Sequence, residues 1–128
     1  MIEDTEGAYG IFAGLPDIQF PSSLRAGAIG MIPAPRLFDP QVTIYELMME
    51  GTPEAIVKTE RICRWRLSFI IFMISSVENF ITYGKRLLAK RLELKLGSAR
   101  QPSIPGRDFG IEIMSHWAEH LGLLPDGE

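Results

Sequence analysis

The sequence predicts an α/β chain in which helix outweighs strand: two short parallel strands joined by a helix, then four helices. Three observations carry this reading. Two apolar, small-residue runs, "AYGIFAG" (8–14) and "AIGMIP" (28–33), flank a segment with helix punctuation. Beyond residue 38, prolines recur near helix starts and glycines at helix ends. The chain has 128 residues, 46% of them hydrophobic, which is the size of one domain with a real core.

The elements follow in order. The run 8–14 reads as the first strand. In "LPDIQFPSSLRAG", Pro21 suits the first turn of a helix and Gly27 its end. The run 28–33 reads as the second strand, and strand, helix and strand make a compact βαβ unit with parallel strands. In "DPQVTIYELMMEG", Asp39 can cap, Pro40 fits the first helical position and Gly51 ends the helix, with Ile44, Leu47 and Met48 on one face. Thr52 and Pro53 open a long helix reaching about Ile74. Ser75 and Ser76 interrupt the pattern. A further helix is expected over Val77–Leu96, closed by Gly97. The segment "SARQPSIPGRD" is a loop. A last helix covers Phe109–Leu121, before a polar tail.

Neither strand alternates apolar with polar residues. Both are expected to be buried on two faces, as in covered parallel sheets. Two strands close no barrel, and each exposes a pairing edge. The sequence thus reads as part of a larger sheet than these two strands make.

Several function classes are set aside. The net charge is −3, with no basic block, so no nucleic-acid partner is expected. Arg61, Arg64 and Arg66, interleaved with Trp65 and Phe69, read as surface arginines beside core aromatics. The apolar stretch "LSFIIFMISSVENFI" (67–81) is uncharged only from Leu67 to Val77. A membrane span needs about 20 apolar residues. It therefore reads as a buried helix, with Leu67, Phe69, Ile70, Phe72, Met73 and Ile74 covered. Cys63 is the sole cysteine and makes no internal disulfide, so a reducing, cytoplasmic setting is expected, with the thiol acting as a small hydrophobe. The start "MIEDTEGAYG" has no apolar signal core. His116 and His120, with Glu112 a turn earlier, read as a solvated helix face, because zinc wants three or four ligands. No metal and no cofactor are expected.

The stretch "LRAGAIGMIPAP" is no phosphate loop. It lacks the Lys and Ser/Thr of such a loop, and Pro33 brings no donor. Here Gly27 ends a helix, and Gly30 permits close approach inside a strand. The loops "GLPD" and "PAPRLFDP" are also poor anion nests.

These residues carry a resemblance. "GLPDIQFPSSLRAGAIGMIP" resembles the dihydrodipicolinate synthase / N-acetylneuraminate lyase family of (β/α)8 barrels with an added C-terminal helical segment. Gly14, Pro21, Leu24, Gly27, Ala28 and Gly30 fall at the family's strand seven, the following helix, its Gly-Ala-x-Gly turn and strand eight. "YGKRLLAKRLELKLGSARQPSIP" is similar to a later family helix and its Arg-x-Pro segment, through Lys85, Leu88, Arg100 and Pro102. "HLGLL" looks like the family's ending, and "GMIP" is closest to its non-synthase branches. The likeness spans about Ala8 to Leu124. Where many members carry an acidic pair after the strand-seven glycine, this chain has Leu15 and Pro16, a departure that bears on the substrate.

The resemblance implies the last two βα units of a TIM barrel at 8–50 and a C-terminal helical segment at 51–124, with tails at 1–7 and 125–128. In that family a strand-six lysine forms a Schiff base with pyruvate or a related 2-keto acid, and the imine acts as electron sink for lyase or aldolase chemistry. A tyrosine on an earlier strand relays protons, and a Thr-Thr turn on strand two binds the carboxylate. The resemblance places Gly14 and Ile32 beside the keto acid, with Pro33 their neighbour. No catalytic residue is expected in this chain. Its lysines, Lys58, Lys85, Lys90 and Lys95, all lie in helical patterns, and none is expected at a strand end. The expected partners are a second copy of the chain or a barrel portion supplying the first six strands. The contrasting expectation is a non-enzymatic helical module that oligomerises through exposed apolar surface.

Overall fold

The computed structural model describes residues 7–14 and 17–123. It is mostly helical. The elements are β1 (Phe12–Ala13), α1 (Phe20–Arg25), β2 (Gly30–Met31), α2 (Phe38–Glu50), α3 (Pro53–Ile74), α4 (Val77–Arg91) and α5 (Asp108–Leu121). Single 3-10 turns precede α1 and α2. The chain divides into two compact units, Met1–Leu67 and Ser68–Glu128, with the division falling inside α3.

In the first unit, β1 and β2 pair in parallel, Phe12 opposite Gly30 and Ala13 opposite Met31. The Ile29 N–H donates to the Ile11 carbonyl at 2.9 Å and the Ile32 N–H to that of Ala13 at 3.0 Å. A Cβ on Gly30 would stand 3.1 Å from the Phe12 ring, so the bare glycine makes room for the neighbouring strand's aromatic side chain. The helix α1 ends as its sequence anticipates. Gly27 takes a left-handed φ of 95°, while the Ala28 N–H reaches back to Ser23 and the Gly27 N–H to Leu24. Gly51, with φ 67°, ends α2 in the same left-handed way. Phe20 stacks on Tyr45 at 6.4 Å between ring centroids, joining α1 to α2 over a core that includes Leu37 and Ile44.

The strands depart from expectation in length and cover. Only two residues in each are paired. Expected burial on both faces is absent: Phe12 is 57% exposed, Ile29 52% and Ile32 75%. Asp39 does not cap α2, which begins a residue earlier, at Phe38. It lies in the first turn, where its charge favours the helix dipole.

The helix α3 starts where Thr52 and Pro53 signal it, the Thr52 hydroxyl accepting from the Ala55 N–H at 3.1 Å. Its buried stripe runs Ala55, Thr59, Arg66, Phe69, Ile70 and Met73, a spacing of three, four and seven. This corrects two expectations. Arg66 is fully buried rather than on the surface, and Trp65 is partly exposed rather than in the core. Leu67 and Ile74 also sit off the stripe and are exposed.

In the second unit, Ser76 caps α4, its hydroxyl accepting from the Asn79 N–H at 3.0 Å. The expected continuation to Leu96 does not occur. The helix closes at Arg91 in a Schellman turn, with the Leu94 N–H on the Ala89 carbonyl at 2.8 Å and Glu93 at φ 54°. Lys95 therefore lies outside the helix. The pair α4 and α5 is locked at several points. Tyr83 packs on bare Gly110, where any Cβ would strike the ring, and its hydroxyl accepts from the Arg107 N–H at 3.1 Å. Buried Arg91 donates to the carbonyls of Gly122 at 2.8 Å and Leu121 at 3.3 Å, satisfying the C-terminal end of α5. Phe69 stacks on Trp117 at 5.0 Å.

Candidate functional site

Parallel pairing brings the ends of β1 and β2 to the same edge of the sheet. Gly14 follows β1 and Ile32 follows β2, so two of the three candidate residues meet there, tied by the Ile32–Ala13 hydrogen bond. Gly14 is exposed, and a Cβ on it would find nothing within 4 Å. The Ile32 side chain faces solvent.

Pro33 points the other way in function. It lines a cavity of about 300 Å³ with Phe12, Met31, Phe38, Gln41 and Tyr45, a site distinct from the open edge. The wall is apolar and aromatic, with the buried Gln41 amide its main polar group. Among the described residues no lysine, histidine, cysteine or carboxylate lines it. Such a cavity can hold an apolar group and orient one polar atom. Among its described lining residues, Tyr45 is the sole titratable side chain, with no amine, thiol, carboxylate or imidazole beside it. Leu15 and Pro16 lie outside the described residues.

Sequence reading missed Phe38, Gln41 and Tyr45. Their spacing of three, four and seven along α2 marks one helix face, which was the available signal.

None of the lysines stands at a strand end. Lys58 is in α3, Lys85 and Lys90 are in α4, and Lys95 follows α4. Lys90 approaches Glu119 at 3.8 Å. Cys63 is half-buried with a free thiol. The rings of His116 and His120 lie 4.8 Å apart on exposed positions of α5. Among the described residues, no three His, Cys, Asp or Glu side chains come together as a metal site. No helix of the described residues is long and apolar enough to cross a membrane.

Comparison with protein-family models, with curated proteins and with solved structures finds no match to this chain.

Proposed function

We propose that the chain supplies the last two βα units and the C-terminal helical segment of a Schiff-base lyase barrel acting on pyruvate or a related 2-keto acid. In this reading Gly14 and Ile32 edge the keto-acid site, and the reactive lysine comes from a strand outside these residues. The chain by itself forms no imine. The carrying observation is the parallel β1–β2 pair, joined through α1, whose apolar side chains at Phe12, Ile29 and Ile32 are left uncovered. Parallel strands normally lie in covered sheets, and an uncovered edge pairs with further strands. The resemblance of residues 14–33 to strands seven and eight supplies the chemistry.

The test is borohydride trapping with pyruvate, read by intact mass. The chain alone should give no adduct. Mixed with a barrel portion carrying the first six strands of a family member, the adduct should form on that portion. A stoichiometric adduct on Lys58, Lys85, Lys90 or Lys95 overturns the reading. So does a mixture that neither associates nor traps pyruvate.

A second reading, a helical oligomerisation module, draws on Val77 and Phe109, large apolar side chains exposed at the first turns of α4 and α5. It requires a homo-oligomer of fixed stoichiometry that a barrel portion does not disturb. Light scattering with and without that portion separates the two.

A further inference from the structure

The second unit contains a cavity that the strand-end site does not use. Its volume is about 350 Å³, and it lies between α4 and the loop 96–106. Lys85 and Arg86 reach it from α4, and the hydroxyls of Thr82, Ser98 and Ser103 join them. Ile81, Leu96 and Ile104 supply an apolar wall, each with its side chain exposed.

The loop is held in place over the helix. The Thr82 hydroxyl donates to the Ile104 carbonyl at 3.2 Å, and Ser103 N–H donates to the Gln101 side chain at 3.1 Å. Gly106 lies against Ile111 and Arg86, a Cβ there standing 3.3 Å from the Ile111 side chain and 3.4 Å from Arg86 Nε.

The charge arrangement is one-sided. Among the described residues no carboxylate lines the cavity, although acidic residues outnumber basic ones in the chain, 16 to 13. Arg64 pairs with Glu60 at 3.1 Å and Lys90 approaches Glu119 at 3.8 Å. Lys85 and Arg86 make no ion pair or hydrogen bond with another side chain among the described residues. Two adjacent cations, beside the Ser98 and Ser103 hydroxyls, suit a dianion with several acceptor oxygens. A phosphate monoester carries a charge of about −1.5 to −2 near neutral pH. A carboxylate would match only half that charge. The apolar wall calls for a carbon skeleton attached to the phosphate, and the volume suits a small one.

We infer that this cavity binds an organic phosphate monoester with a short apolar tail, the phosphate on Lys85 and Arg86 and the tail against Ile81, Leu96 and Ile104. The site shares no residue with Gly14, Ile32 or Pro33, so it stands independently of the lyase reading.

The test is calorimetric titration of the full chain with n-hexyl phosphate and with inorganic phosphate. One saturable site is expected, with hexyl phosphate bound at least tenfold more tightly than inorganic phosphate. The double variant Lys85→Gln/Arg86→Gln should weaken hexyl phosphate at least tenfold, while Lys58→Gln, on exposed α3 surface, stays within twofold. Ser98→Glu, on the exposed loop, keeps both cations and places a carboxylate beside them. It should cause the same loss with an unchanged thermal melt, which guards against misfolding of the helix variant. Absence of saturable binding overturns the proposal, as does undiminished binding in the double variant or in Ser98→Glu. Equal affinity for the two phosphates overturns the apolar half of the site.

Discussion

The two units of the chain treat their apolar side chains differently. In the second, the helices answer one another: Tyr83 of α4 against bare Gly110 of α5, Arg91 of α4 on the last carbonyls of α5, and Phe69 of α3 on Trp117 of α5. In the first, helices cover Phe20, Leu37 and Ile44, yet the adjoining strands leave Phe12, Ile29 and Ile32 in solvent. A helix satisfies its backbone internally, so a parallel pair such as α4 and α5 needs only its apolar faces covered. A parallel strand needs a neighbour on each edge and a layer on each face. The contrast teaches that apolar composition alone does not say what a segment will bury. The secondary structure decides how many partners burial requires.

The comparison can be broken most forcefully at Ile70, buried in the second unit. Ile70→Ala leaves a cavity in the buried stripe and should cost about 3–4 kcal/mol. Urea unfolding checks this, and a variant as stable as the parent would mean that the stripe of α3 is not a core. Gly110→Ala should come next, with a loss of about 2–3 kcal/mol from overpacking against Tyr83. The loss should shrink when Tyr83 is cut to Leu in the same chain, so a double-mutant cycle reads the contact directly. Glu93→Gly acts in the opposite direction. Glu93 holds a left-handed backbone that costs an L-residue about 1–2 kcal/mol, so glycine should stabilise by about 1 kcal/mol net of its greater freedom in the unfolded chain. A raised midpoint at unchanged slope is the expected signature. The smallest effect on stability belongs to Ile32→Asp. Its side chain is exposed, so the cost should stay within about 0.5 kcal/mol. The same variant should reduce self-association seen by light scattering, because it places a charge at the sheet edge.

Helix punctuation was readable where its residues have one dominant use. Thr52-Pro53 opens α3, Gly27 ends α1 and Gly51 ends α2, each for a backbone reason confined to a few residues. The end of α4 was not readable. Glu93 is an unusual left-handed residue, and Gly97, the customary one, lies further along. The candidate site was legible in part. Gly14 and Ile32 come to one edge as parallel strands demand, whereas the Gln41–Tyr45 face of α2 went unread although its spacing was visible.

By itself the sequence determined the order of elements, the parallel sense of the strands and the placement of most helices. Those follow from φ preferences, missing amide donors and apolar periodicity, all of which act over a few residues. Only the tertiary structure decided that Arg66 and Arg91 are buried, that Trp65 and Ile32 are exposed, and that Lys85 and Arg86 share a cavity with the loop 96–106. A side chain's burial depends on which surfaces meet it in space. A guanidinium enters the interior when carbonyls such as those of Leu121 and Gly122 are held where it can reach them, and nothing in the residues next to Arg91 specifies that.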